Sequence, residues 1–242
     1  MSFEWPEYRS TNSYFLIPST IIGIERDGER IPGLWAKFSR AEKAVYPVLL
    51  SHKHYTHTVK IGEERLAGLS GLKRRSSACN ATDSLEERGL IIVNRESSRR
   101  HVKSYTFENI DAPRKIPFYR DDIYSGVWAV LGRRCPTAQA LYLAMRFLAK
   151  PRADLDDNYD AWPRDDGEFR EYLMERTEDF CLVRQHEILD YARISRRSFP
   201  TALDALMNAH LVYPLERRSG YSVKLWSDQG YKMSYLKTLK VA

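Results

Sequence analysis

The stretch Ile61–Phe107, IGEERLAGLSGLKRRSSACNATDSLEERGLIIVNRESSRRHVKSYTF, decides the fold of this chain. It divides into a short helix, a tight turn, a second helix and a hairpin. Leu66, Ala67 and Leu69 give the first helix an apolar side, and Glu63 and Glu64 lie at its start, where the free N–H groups of a helix favour negative charge. Ser70-Gly71 makes the turn, because glycine adopts the backbone angles that stop a helix. In the second helix Ala78, Ala81, Thr82 and Leu85 recur at three- and four-residue spacing, which predicts one buried face. The other side carries Lys73, Arg74, Arg75, Ser76, Ser77 and Asn80. Gly89 ends that helix, and Leu90 to Val93 then alternates with a second run through Val102, Tyr105 and Phe107. Arg95, Arg99 and Arg100 fall at the hairpin tip, with Lys103 on the return strand.

The same grammar recurs in Cys181–Trp226, CLVRQHEILDYARISRRSFPTALDALMNAHLVYPLERRSGYSVKLW. Ile188, Leu189 and Ala192 line a short helix, Ile194-Ser195 turns the chain, and Arg196-Arg197 precede a helix with apolar Phe199, Ala202, Leu203 and Leu206. Ser198 and Thr201 lie on its polar side. Pro200 belongs in a first turn, where its missing N–H costs little, so this helix is expected to begin around Ser198. Ala78 aligns with Phe199, Ala81 with Ala202, Thr82 with Leu203, Leu85 with Leu206 and Leu90 with Leu211. A hairpin follows, tipped by Arg217 and Arg218, with Tyr221, Val223 and Leu225 alternating beside Lys224. Each motif also has a leading helix. Ser39 can cap the first, ahead of Ala41, Ala44, Val45, Val48 and Leu49, with Pro47 expected to kink it; Pro136 opens the second, ahead of Ala138, Leu141, Tyr142, Met145, Phe147 and Leu148.

The fold class this predicts is mainly α with small β hairpins (α+β), as two winged helix-turn-helix domains in tandem. The expected organisation is an N-terminal arm (1–34), a first domain (35–108), a linker (109–122), a second domain (123–227) with an acidic insertion (151–180), and a C-terminal helix or tail (228–242). The arm has extended runs around Tyr14–Ile17 and Ile21–Ile24 and a turn at Asp27-Gly28-Glu29; it is expected to pack on the first domain or to reach a second subunit. Pro113, Arg114, Lys115 and Pro117 give the linker the look of an extended basic connector able to lie along phosphates. The insertion concentrates Asp154, Asp156, Asp157, Asp160, Asp165 and Asp166 and then turns apolar at Phe169, Tyr172, Leu173 and Met174.

The 242 residues carry a net charge of +6 and a pI near 9.1, and the acidic insertion leaves the remainder more basic than the total. A basic balance on helix-turn-helix motifs points to nucleic acid rather than to a membrane. With no apolar span and no signal-peptide pattern, a cytoplasmic protein is expected, and the unclustered Cys79, Cys135 and Cys181 fit free thiols there. Enzyme chemistry finds little support. His52, His54 and His57 match no common zinc spacing, and no glycine-rich phosphate loop is present. The pairs Asp156-Asp157 and Asp165-Asp166 have no lysine at a distance suited to a nuclease. Tyr119, Tyr124 and Tyr142 lack the His-hydrophobe-His motif that accompanies strand-nicking tyrosines. The expectation is no catalytic residue, no metal and no cofactor.

Two such domains in tandem, from Tyr14-Phe15-Leu16-Ile17-Pro18 through Lys43-Ala44-Val45-Tyr46 to Trp226, resemble the replication initiators of bacterial plasmids and mobile elements and the replisome organisers of phages. The resemblance implies binding to repeated origin sequences in double-stranded DNA, one domain reading bases while the other can serve as a homodimer contact, and recruitment of host replication proteins. DNA contacts are expected from Lys73, Arg74, Arg75, Ser76, Ser77, Asn80, Arg99, Arg100 and Lys103, and from Arg196, Arg197, Ser198, Thr201, Arg217, Arg218 and Lys224. A transcriptional regulator bound to an operator as a homodimer, and a winged-helix scaffold for other proteins, are the alternatives.

Overall fold

The computed structural model describes residues 14–26, 29–53, 58–95, 102–110, 112, 114–150, 178–215 and 219–224. The first half runs β1 (Tyr14–Pro18), α1 (Ser19–Ile22), β2 (Gly23–Arg26), β3 (Glu29–Pro32), α2 (Leu34–Lys37), α3 (Arg40–Ser51), β4 (Thr58–Gly62), α4 (Glu63–Ser70), α5 (Arg75–Glu87), β5 (Ile91–Asn94) and β6 (Val102–Phe107). The second runs β7 (Lys115–Tyr119), α6 (Arg120–Tyr124), α7 (Val127–Arg134), α8 (Pro136–Leu148), β8 (Glu178–Cys181), α9 (Gln185–Ala192), α10 (Phe199–Asn208), β9 (Val212–Pro214) and β10 (Tyr221–Lys224). Each half is a strand and two short helices followed by helix, strand, helix, helix, strand, strand. The β2–β3 hairpin is an addition to the first half. The class is α+β with small antiparallel sheets, and in the sheets β4-β6-β5 and β8-β10-β9 the last strand lies in the middle.

Local chemistry sets the helix ends. Ser39 and Glu42 cap α3 reciprocally: the Ser39 hydroxyl accepts from the Glu42 N–H at 3.2 Å and the Glu42 carboxylate accepts from the Ser39 N–H at 2.6 Å. Pro47 sits inside α3, which continues to Ser51. Pro136 opens α8 and Pro200 lies in the first turn of α10, where neither removes a needed donor. Ala78, Ala81, Thr82 and Leu85 form the buried face of α5, and Phe199, Ala202 and Leu206 that of α10.

Residues 109–122 are not a connector. Lys115–Tyr119 forms β7, antiparallel to β1 with Leu16 opposite Pro117 at the centre of the register, and both strands run directly into a helix. Phe118 decides this: it is fully buried, its ring 5.2 Å from Phe15, 5.4 Å from Trp128 and 5.8 Å from Tyr142. The basic residues on either side serve backbone carbonyls. Arg114 donates to Phe147 and Ala149, and Arg120 to Tyr14, Ser51 and Lys53, at 2.7–3.1 Å. The acidic segment also ends earlier than expected. Residues 178–180 belong to β8, where buried Asp179 accepts from Arg146 at 2.8 Å while Arg146 also donates to Pro117 at 3.1 Å. The acidic loop, the apolar run at Phe169–Met174 and the expected C-terminal helix or tail lie outside the described residues.

Both halves contribute to a single hydrophobic core. Its centre is a reciprocal exchange of tryptophans. Trp35 of α2 donates its indole N–H to Ala140 of α8 at 3.4 Å, and Trp128 of α7 donates to Ala44 of α3 at 2.9 Å. Both rings are buried, so each half fills the other's core. The backbones meet glycine to glycine. Gly71 holds φ +74°, and a Cβ there would strike the Ala129 carbonyl and lie 3.0 Å from Gly132 Cα. A Cβ on Gly132 would lie 2.5 Å from the Ser70 oxygen and 2.8 Å from Gln139 Nε2. Gly132→Ala is therefore expected to destabilise the protein by roughly 1–3 kcal/mol, the usual cost of overpacking, in a single urea transition for the whole chain. Two separate transitions, with one unmoved by the substitution, would contradict a shared core.

Candidate nucleic-acid interface

The residues before α5 are strongly basic. Lys73, Arg74, Arg75, Ser76 and Asn80 are exposed, and Ser77 is half-buried. No side chain caps the helix start and no acid lies in its first turn, so its free N–H groups add to the positive charge of Lys73 and Arg74. A groove beside this edge is lined by Glu64, Ala67, Gly68, Leu72, Lys73 and Arg75. In the second half Arg196, Arg197 and Thr201 are exposed at the start of α10. Ser198 turns inward onto its neighbour: its N–H donates to Ser195 Oγ at 3.1 Å, and the two hydroxyls are 2.7 Å apart.

Several expected contacts have other work. Arg75 and Lys103 both engage Glu63, with Arg75 Nε 3.3 Å from Oε2 and Lys103 Nζ 2.8 Å from Oε1. Burial alone would raise the Glu63 pKa, but hydrogen bonds from Lys103 and Cys79 and the two nearby cations bring it below the usual carboxylate value. Arg95 is not at a hairpin tip. It pairs with Glu86 at 2.6 Å and Asp83 at 3.1 Å, tying the base of the hairpin to α5. Lys224 is half-buried, its ammonium 5.9 Å from the centre of the Tyr213 ring. Arg99, Arg100, Arg217 and Arg218 lie outside the described residues.

The turns ahead of α5 and α10 are each held by the opposite half. Lys43 of α3 donates to the Ala192 carbonyl at the end of α9 at 2.9 Å. Gln139 of α8 donates to the Ser70 carbonyl at the end of α4 at 3.3 Å and to Trp128 at 2.8 Å. Lys43 and Gln139 are each the fourth residue of their helix. Sequence reading passed over both, because a single polar residue on an apolar helix face gives no sign of its partner; their shared offset in the two repeats was the available signal. Arg193, with φ +53° after α9, and Arg133 and Arg134 at the end of α7 are further exposed cations beside these turns.

The tyrosines weighed as nucleophiles are placed differently from one another. Tyr119 and Tyr142 are buried, and the Tyr142 phenol donates to Lys224 O at 2.8 Å; Tyr124 is half-buried, 5.3 Å from the His52 ring. His54 and His57 lie outside the described residues. Among the described residues no group of three or more His, Cys, Asp or Glu side chains is arranged to hold a metal, and no helix is long and apolar enough to cross a membrane. No protein-family model, curated protein or solved structure matches the chain.

Lys43 makes the clamp sensitive to pH. Burial lowers its pKa from 10.5 to about 8, with Glu42 opposing the shift and Arg193 adding to it. Between these values the unfolded chain holds the proton and the folded chain does not, so this group's contribution to stability rises with pH. Below about pH 8 both states are protonated and the cost of the buried charge is present in full. The stability of the wild type relative to Lys43→Met should therefore increase on going from about pH 7 to pH 10 in chemical unfolding. A difference that stays flat, or falls, would contradict this.

Proposed function

We propose that this chain is a sequence-specific reader of double-stranded DNA, built as two winged helices whose recognition helices are α5 and α10. The order helix, strand, helix, helix, strand, strand, with the last strand central, is that of winged helix-turn-helix domains, in which the second helix of the pair enters the major groove. The observation that carries the reading is the pairing of exposed cations with a clamped turn at both helices. Lys73, Arg74 and Asn80 stand at one, Arg196, Arg197 and Thr201 at the other. Each turn is fixed by a hydrogen bond from the opposite half. Such an arrangement presents two reading heads as one body.

Among duplex readers, the tandem arrangement supports a replication initiator of a plasmid or mobile element that binds origin repeats. That role calls for homodimer contacts and host replication proteins as partners. Footprinting of the full chain on DNA flanking its gene should protect iterated repeats, about two helical turns per chain, one turn being about 34–36 Å. A single inverted repeat would indicate a transcriptional regulator, and no protection on any duplex would overturn the DNA reading.

Two further outcomes follow from a rigid pair of heads. Asn80→Ala should weaken base preference by about 1–3 kcal/mol at one position, as loss of an adenine contact does. Inserting about half a helical turn between the two contacted half-sites should abolish joint binding, whereas two heads on a loose tether would tolerate it. Binding assays on spaced duplexes distinguish these results.

A further inference from the structure

Glu63 is an unusual residue to find beneath a surface meant for DNA. It is only 6% exposed, so its charge is taken out of water at a cost. It also stands among groups that would otherwise bind phosphate. One carboxylate oxygen takes Lys103 at 2.8 Å and the other takes Nε of Arg75 at 3.3 Å, while the Cys79 thiol shares the same group. A site built only to hold phosphates loses by this, since the acid cancels one of the two positive charges.

The geometry at Arg75 gives the acid a use. Its side chain is half exposed, and the nitrogen that Glu63 holds is the inner Nε. Among the described residues no hydrogen bond or ion pair engages its two terminal nitrogens, which form the planar fork that matches two acceptors on a guanine edge. A guanidinium free to swing would settle on the nearest phosphate instead. Arg75 is the first residue of α5, the end of a recognition helix that meets base edges.

We propose that Glu63 is a positioning residue that anchors Arg75 as a reader of a guanine in duplex DNA and withholds Lys103 from the phosphate backbone. It thereby trades general affinity for base choice. This inference rests on the DNA-binding reading above. Were Glu63 merely a favourable charge at the start of α4, its removal would lower stability and leave base choice alone.

The test compares the wild type with Glu63→Gln, which keeps size and removes charge. Preferred sites are selected from a random-sequence duplex library, and binding to a random 30-base-pair duplex is measured across salt concentrations. The variant should bind random duplex about tenfold more tightly at low salt, with a log K against log salt slope steeper by about 0.9 for each phosphate gained. Its preference for the wild-type site should fall about tenfold. In an Arg75→Ala background the same change should alter preference no further. Arg75→Lys, which keeps the charge and loses the fork, should likewise lose preference without flattening the slope, and it serves where Glu63→Gln fails to fold. If the wild type selects no sequence and shows no salt-dependent binding, the DNA reading falls and this inference with it. If the wild type selects a site and Glu63→Gln, or Arg75→Lys in its place, selects it equally well, the inference alone is overturned.

Discussion

Where Gly71 meets Gly132, two backbones touch with no side chain between them, and the rest of the structure depends on that approach. It lets Gln139 reach the Ser70 carbonyl and brings α7 against the end of α4. The same closeness seats Trp128 under Ala44 and Trp35 under Ala140. Across the junction, Lys43 completes the reciprocal clamp on Ala192. The two repeats have thus become a single unit in which each finishes the other's core. Buried aromatic area supplies the stabilisation, and the hydrogen bonds fix the relative placement.

For the proposed DNA reading this placement matters, because specificity for a pair of half-sites depends on geometry that does not relax. A head on a flexible arm samples many positions and binds mainly through phosphate charge. A head whose turn is held from behind presents the same residues at the same distance each time, so less ordering cost falls on binding. The buried charges fit this view. Glu42 holds Arg88 at 2.6 Å and Arg146 holds Asp179 at 2.8 Å, and each pair joins elements distant in sequence. At least one partner of each pair is buried, so breaking the pair would leave a charge stranded out of water.

Much of each repeat was legible in the sequence because its signals are local. Ala78, Ala81, Thr82 and Leu85 declare a face by spacing, Gly71 declares a turn, and Pro200 and Pro136 mark helix starts. What escaped was set by partners far along the chain. Strand β4 carries only Val59 and Ile61 as buried residues, too short an alternation to stand out, and β8 lies at the margin of an acidic run. Residues 115–119 have the composition of a connector, with Lys115 and Pro117, yet Ile116 and Phe118 find their partners in β1. The candidate interface divides in the same way. Exposure of Asn80 follows from helix periodicity and that of Lys73, Arg74, Arg196 and Arg197 from their place in the turns ahead of α5 and α10, whereas the engagement of Arg75 and Lys103 by Glu63 is a tertiary fact.

The claim that the two repeats form one cooperative body is tested most directly by native-state hydrogen exchange on the unmodified protein. Amides in the central strands β6 and β10 and in the leading helices α3 and α8 should open with one common free energy, equal to that of global unfolding. Exchange of one repeat's strand and helix at a clearly lower free energy, while the other stays protected, would mean that the repeats unfold separately and that the glycine contact does not govern the fold.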